Sequence, residues 1–286
     1  MISSGNATVY VSDMNAAIRF YTESLGLKLT NRFGRQWAIL EAAPSFWTTD
    51  EVRAGLLIGL HAASPKHPAP GTRGAVGFGF ETYEPIEKAI ASLVQRKVSI
   101  AGEVIRFEGG NSVAFKDHDG TPTYLHEFPP EMVSSTDLAT DEDSGEEAPA
   151  TISGGHAIVY VTKMDAAIRF YTGVLGLNLT NRYGDKLATV EAGHRLVIVL
   201  HPQSSRSPVP GTKGSVTLGL TIDEPIGAVV SRLVERGVRL VGGPIESDVG
   251  NIANFEDVDG NSIYLWEDDG RLSARDDFAV QRSDAI

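Results

Sequence analysis

The chain of 286 residues contains no cysteine. That absence excludes disulfides, thiolate metal sites and a cysteine nucleophile, so any metal would have to be held by nitrogen and oxygen. Positive charge is also scarce, with 25 Lys and Arg against 37 Asp and Glu and a formal net charge of -12. This is the wrong sign for a protein that neutralises phosphates along a nucleic acid. No run approaches the roughly 18 apolar residues of a membrane-spanning helix. The opening Met1-Ile2-Ser3-Ser4-Gly5-Asn6 has neither the basic end nor the apolar stretch of a secretory leader. The expectation is a cytoplasmic protein with no nucleic-acid and no membrane partner. The chain also lacks a Gly-x-Ser-x-Gly elbow and a Gly-x-x-x-x-Gly-Lys-Ser/Thr phosphate loop, and Gly109-Gly110 and Gly242-Gly243 read as turns.

A 42% hydrophobic content is enough to build real cores, and the length predicts about two domains. An internal repeat supports that division. Residues 7–34, ATVYVSDMNAAIRFYTESLGLKLTNRFG, return at 157–184 as AIVYVTKMDAAIRFYTGVLGLNLTNRYG. Further on, PAPGTRG (68–74) returns as PVPGTKG (208–214), and Asp117-His118-Asp119-Gly120 as Asp257-Val258-Asp259-Gly260. The first copy carries extra residues around Pro44–Arg53, which read as a longer loop over one side of it. Residues 131–150 hold seven acids and no base, the composition of a solvated, self-repelling tether. The predicted organisation is domain 1 over 1–130, an acidic linker over 131–152, domain 2 over 153–270 and a polar tail over 271–286.

Within each copy the patterns alternate in a fixed order. Thr8–Val11 is β-rich, and Met14, Ala17, Ile18, Tyr21 and Leu25 follow at helical spacing until Gly26 closes the helix. Leu27–Arg32, Trp37–Glu41 and Gly55–His61 read as three strands. The order then repeats, with strand Ala75–Phe80, a helix over Glu84–Lys97 with Pro85 in its first turn, and strands near Ile100–Val104, Ser112–Lys116 and Thr123–Glu127. The fold class is therefore α+β, with four βαβββ units. Asp117, Asp119, Asp257 and Asp259 read as tight Asx-type turns rather than calcium loops. Arg32 and Arg182 read as ion-pair partners, with Glu41 and Glu191 as available acids.

The paired βαβββ units, the run Phe20-Tyr21-Thr22-x-x-Leu25-Gly26-Leu27 and the late Asp-x-Asp-Gly-x-x-x-Tyr-Leu together resemble the vicinal oxygen chelate superfamily. That family includes glyoxalase I, extradiol dioxygenases and the bleomycin-resistance binding proteins. The resemblance implies two tandem glyoxalase-like domains, each a curled mixed sheet around a cleft that takes a ligand or metal. Its metal positions count onto Asn6 and His156 on the first strand, Val76 and Val216 on the fifth, and Tyr124 and Tyr264 on the last. Only His156 is a good ligand for a divalent ion. A fourth family position counts onto Gly59 and Val199, two residues before His61 and His201, which share the strand face.

The leading expectation is thus a protein that binds a small organic ligand without the usual metal, with Asn6, Tyr10, His61, Tyr124, His156, Tyr160, His201 and Tyr264 lining the clefts. The alternative is an enzyme, a glyoxalase-like lyase or isomerase or an extradiol-type dioxygenase working mainly in the second copy. It would hold iron, zinc, nickel or manganese on His156, His201 and Glu267 or Tyr264. A monomer with two domains and a homodimer both remain open at this stage, as does pairing of units within or across the copies.

Overall fold

A computed structural model describes residues 2–45, 47, 55–107, 109–128, 152–193, 196–247 and 250–267. The acidic linker up to residue 151, the tail from 271 and most of the extra loop of the first copy lie outside these residues. The first unit consists of β1 (Ile2–Val11), α1 (Met14–Arg19), β2 (Lys28–Phe33), β3 (Trp37–Pro44) and β4 (Gly55–Ala62). The second has β5 (Val76–Thr82), α2 (Ile86–Gln95), β6 (Ser99–Ile100), β7 (Ile105–Phe107), β8 (Gly110–Lys116) and β9 (Pro122–Glu127). The third repeats the first as β10 (Gly154–Val161), α3 (Met164–Ile168), β11 (Asn178–Tyr183), β12 (Leu187–Glu191) and β13 (Val197–Pro202). The fourth contains β14 (Val216–Ile222), α4 (Ile226–Glu235), β15 (Ile245–Ser247), β16 (Gly250–Glu256) and β17 (Ser262–Glu267). Among the described residues no helix is long and apolar enough to cross a membrane.

The expected α+β class is what the structure shows, and the question of pairing is resolved across the copies. One sheet runs β15-β16-β17-β14-β1-β4-β3-β2, joining the first unit to the fourth. The other runs β11-β12-β13-β10-β5-β9-β8-β6 with β7 beside β8, joining the third unit to the second. Copies along the chain and sheets in space are therefore different divisions of the molecule.

Each central strand alternates between two faces. On β10, Ala157, Val159 and Val161 enter one continuous apolar core that draws on both sheets and all four helices, while His156, Ile158 and Tyr160 face a cleft. Each core side chain of Leu or Ile size stabilises the fold by about 1.5–3 kcal/mol on burial. The helices lie on the core face. Asp13 caps α1 by accepting the Ala16 N–H at 3.0 Å, and the helix then widens into a π turn over Phe20–Ser24 before Gly26, at φ 79°, ends it.

Three expectations change in detail. Pro85 sits at the N-cap of α2 rather than inside its first turn. Residues 101–104 are not a strand, and the segment divides into β6 and β7 on either side of them. Arg32 and Arg182 do not reach the glutamates: Arg32 donates to Asn15 Oδ1 at 2.6 Å, and Arg182 pairs with Asp165 at 2.7 Å and Asp185 at 3.2 Å. The aspartate turns form as expected. Asp117 Oδ1 accepts the Thr121 N–H at 2.7 Å and the Asp119 N–H at 3.0 Å, while its Oδ2 accepts the Tyr21 hydroxyl at 3.0 Å. Asp257 and Tyr171 repeat that contact, so each copy ties its two units together although they belong to different sheets.

The repeated Pro-x-Pro-Gly-Thr-x-Gly loops meet on a local two-fold axis. Ala75 N–H donates to Thr212 O at 2.8 Å and Ser215 N–H donates to Thr72 O at 2.8 Å. Gly74 and Gly214 touch backbone to backbone at the centre: a Cβ on Gly74 would stand 2.6 Å from Gly214 Cα. From there the loops lead directly into β5 and β14, the fifth-strand elements of the two clefts.

Candidate functional site

The register places one residue from each of three central strands in a row across each cleft. In the first sheet Asn6 pairs with Gly219, and Gly219 with Tyr264. In the second, His156 pairs with Gly79, and Gly79 with Tyr124. First-strand and last-strand positions thus do meet, from opposite copies. Fifth-strand positions fall three residues beyond Val76 and Val216: Val76 pairs with the core-facing Val159, and both valines belong to the core.

In the first cleft the row is filled. Tyr264 lies over Gly219, with its hydroxyl 2.7 Å from Thr8 Oγ1 and 3.2 Å from the Asn6 amide. Trp37 covers Gly59 so closely that a Cβ there would stand 2.6 Å from its ring. Beyond it, Tyr10 stacks on His67 at 4.1 Å and meets His61 edge-on at 5.7 Å. Burial, with Tyr264 adding to it, pushes the Tyr10 phenol up to about 12. Burial likewise holds His61 and His67 below the usual histidine range. His61 Nδ1 lies 2.8 Å from Ala62 O, the turn contact that His201 repeats with Pro202 O. This cleft is an aromatic cluster held by a few hydrogen bonds.

The second cleft is built from the same positions with different chemistry. Ile158 stands where Thr8 stands, so no hydroxyl holds Tyr124 down on Gly79. Tyr124 turns instead to Arg73, whose Nη2 donates to its hydroxyl at 3.0 Å and to Arg206 O at 2.9 Å. Tyr160 joins the group, its phenol pushed up chiefly by burial and then by Tyr124. The counterpart of Arg73 is Lys213, which turns away to Glu256 at 3.7 Å. Where the first sheet has Thr217, the second has Gly77, and nothing lies within 4 Å of where its Cβ would be. A shallow surface recess results, enclosing only about 10 Å³ and otherwise open to solvent, lined by Arg73, Gly77, Pro122, Tyr124, Ile158 and Tyr160. Val76 and Val216 reach it from the loop side.

Further along the same face, Glu81 is fully buried and its Oε1 accepts from His156 Nδ1 at 2.7 Å and from Ser45 Oγ at 2.5 Å. Such convergence makes a buried carboxylate tolerable, because paired donors replace lost water. The His156 ring covers Gly79, its Nε2 3.2 Å from where a Cβ would be, with Ile158 Cδ1 beside it at 3.4 Å. His126 follows Tyr124 on β9 between Phe107 and Phe128, with ring centroids at 5.1 Å and 4.5 Å. Burial, and then His156, push its imidazole down to about 4. Trp47, from the extra loop of the first copy, packs on Phe128, Val197 and Val199 and closes this end of the second sheet's cleft.

The structure does not bring together the atypical metal set. His201 pairs with Tyr160 in the second sheet, with its ring 5.5 Å from that of Tyr160. Glu267 belongs to the first sheet, on the helix side of β17, where its Oε2 accepts the Ile226 N–H of α4 at 2.9 Å and Asn251 Nδ2 at 3.0 Å. Glu127 caps α2 in the same way, with Ile86 N–H at 3.0 Å. Both glutamates recur because two helices need the same orphan donor satisfied. Among the described residues no cluster of three His, Asp or Glu side chains could hold a metal ion. Glycine and hydrogen-bonded tyrosine at two of the three row positions do not fit the family's donor set. Arg73, Gly77, Glu81 and His126 are the site residues that sequence patterns missed. The visible signal was the run Gly77-Phe78-Gly79-Phe80-Glu81, where alternation sets two glycines and an acid on the face opposite two core phenylalanines.

Two open mixed sheets, each with a cleft between βαβββ units, define the class of protein. The chain belongs to the Glyoxalase/Bleomycin resistance protein/Dioxygenase superfamily, whose profile matches residues 4–123 and 154–265. It is similar to the virulence protein STM3117 of Salmonella typhimurium, 30% identical over 124 residues that cover 41% of this chain and 78% of that protein. Glyoxalase I of Zea mays has the same overall fold, with a TM-score of 0.63 and 18% identity over 96% of this chain and 95% of its own. TnmS3, an antibiotic binding protein from Streptomyces sp. CB03234, aligns over 39% of this chain and 93% of its own at 28% identity and a TM-score of 0.33.

Proposed function

We propose that the chain binds a small organic molecule in the recess of the second sheet, without the family's metal, and that the first cleft is its filled counterpart. The observation that carries this reading is the pair of equivalent tyrosines. Tyr264 lies across its glycine and closes one cleft, whereas Tyr124 is drawn aside by Arg73, beside a Gly77 that nothing covers. The lining has the usual anatomy of a small-molecule site, an apolar and aromatic wall with a few convergent polar groups. A guanidinium at one end favours a ligand with an acidic or acceptor oxygen there.

The dye 1-anilinonaphthalene-8-sulfonate tests the reading, because it is apolar, anionic and fluorescent when shielded from water. We expect saturable binding of one dye per chain, unchanged by chelator, and weakened at least about tenfold in the double variant Gly77→Thr, Ile158→Thr, which writes the lining of the first cleft into the second. Equal binding by that variant would place the dye elsewhere and refute the recess. The as-purified protein is expected to hold no stoichiometric metal. Near-stoichiometric iron, zinc, nickel or manganese that disappears in His156→Ala would instead establish the metal-dependent reading.

A further inference from the structure

We infer that the mouth of the second sheet's recess is an oxyanion site, formed by Arg73 and Lys116, which takes a sulfonate, carboxylate or phosphate group where the first sheet supplies a carboxylate of its own. The inference goes beyond the recess as an organic pocket, because it stands on the charges at the rim. Equivalent positions of the two copies carry it. In the first sheet Glu256, on β16, serves two cations: its Oε1 is 3.7 Å from Lys213 Nζ, and its Oε2 pairs with Arg239. Two positive groups share one carboxylate there. In the second sheet Arg73 stands in the place of Lys213, Ser99 in that of Arg239 and Lys116 in that of Glu256. Two cations remain and the acid is gone.

The register keeps these residues at the recess. Lys116 on β8 pairs with Pro122, which lines the recess, and Ala114 pairs with Tyr124. Alternation sets Lys116 and Ala114 on one face of β8, with Val113 and Phe115 on the other, in the core. Arg73 is itself part of the lining. Its two Nη2 protons go to the Tyr124 hydroxyl at 3.0 Å and to Arg206 O at 2.9 Å, which fixes the guanidinium beside the recess. Nε and Nη1 are left to donate. Among the described residues neither Arg73 nor Lys116 has a carboxylate within 4 Å. Since the recess encloses only about 10 Å³, the anionic group sits at its mouth and no more than about one oxygen atom enters. The formal net charge of -12 does not oppose this, because exposed charges further away than about 8–10 Å are screened at physiological salt.

Calorimetric titration with sulfate and with benzenesulfonate, at low ionic strength, tests the site. The Lys116→Glu variant writes the first sheet's acid into the second, beside Arg73, and thermal melting confirms that it folds. We expect saturable binding of both anions by the unmodified protein and a loss of at least about tenfold in the variant, the effect of a charge-assisted contact replaced by a repulsive one. Lys116→Gln, which removes one charge without adding its opposite, should fall between. Tighter binding of benzenesulfonate than of sulfate would identify the anion as the end of an organic ligand, and equal binding would identify a free inorganic oxyanion; both support the site. Equal affinity of the unmodified and Lys116→Glu proteins, or no binding of either anion, would overturn it. In that case dye binding that is lost in the Gly77→Thr, Ile158→Thr variant would leave the recess standing. Anion binding that depends on Lys116, without any dye binding, would overturn the recess and leave the oxyanion site.

Discussion

Replacement of Gly74 by alanine is expected to lower the melting temperature by about 6–12 °C, an effect out of scale with the single methyl group added. The cause is the local two-fold axis. A Cβ at this position meets the backbone of Gly214, 2.6 Å from its Cα, and the carbonyl of Thr212 at 2.9 Å. Neither neighbour is a flexible side-chain end, so relief requires the two loops to separate and the Ala75–Thr212 and Ser215–Thr72 hydrogen bonds to stretch. Overpacking against backbone costs about 1–3 kcal/mol, and loss of a backbone hydrogen bond about 1 kcal/mol more. A total near 3 kcal/mol shifts melting by roughly 2–4 °C per kcal/mol in a protein of this size. Gly214→Ala should behave alike, because the same backbones meet from the other side. The double variant should cost less than the sum, since one separation of the loops relieves both methyl groups. Gly227→Ala in α4, where nothing lies within 4 Å of the added carbon, is the matched control and should not lower the melting temperature. A Gly74 variant that melts with the control would show that the loops do not pack as described.

The sequence carried the architecture because repeats and periodicity are local signals. The four units, the Gly26 helix stop and the aspartate turns could all be read from spacing within one unit. Partner choice could not: Asn6 and Tyr264 are 258 residues apart, and nothing in either segment says that the first strand pairs with the fourth unit rather than the second. The fifth-strand count failed for a related reason. It landed on Val76 and Val216, and a slip of three residues moves a position to the other face of a strand, here from the cleft to the core. Glu267 stands in the alternative metal set as an acid on the last strand, but with Glu127 it is the cap that each copy of a helix requires. The difference between the two clefts hangs on single residues, Thr8 against Ile158 and Thr217 against Gly77. Their effect passes through the side-chain orientation of a tyrosine, which spacing does not encode.

His126 is expected to make the protein acid-sensitive, with up to about 3 kcal/mol of stability lost between pH 6.5 and pH 4. Its imidazole falls from 6.5 to about 4 in the folded chain, by burial first and then by His156, while Glu81 and the Gly109 carbonyl oppose the shift. The sign follows from proton counting. Between those two pH values the unfolded chain holds a proton on this residue and the folded chain does not, so acid favours unfolding. The contribution is fully present above 6.5 and lost as pH falls through the window, at about 1.4 kcal/mol per pH unit. Asp117 and Asp257 act in the opposite sense, because burial raises both, and their protonation favours the folded chain as pH falls. A raw stability curve therefore mixes the terms. The difference between the unmodified protein and His126→Phe isolates the histidine, and phenylalanine suits a position flanked by Phe107 and Phe128. Urea unfolding at pH 7, 5.5 and 4.5 should give curves that diverge with acidity, the variant losing less stability. Parallel curves would mean that His126 is reached by water and titrates freely. Since His126 stands on the Phe128 side of the cleft and outside the recess lined by Arg73 and Tyr124, the same variant should bind the anilinonaphthalene dye at pH 7 as the unmodified protein does. The acid response is thus assigned to the closed end of the cleft and ligand binding to the open one.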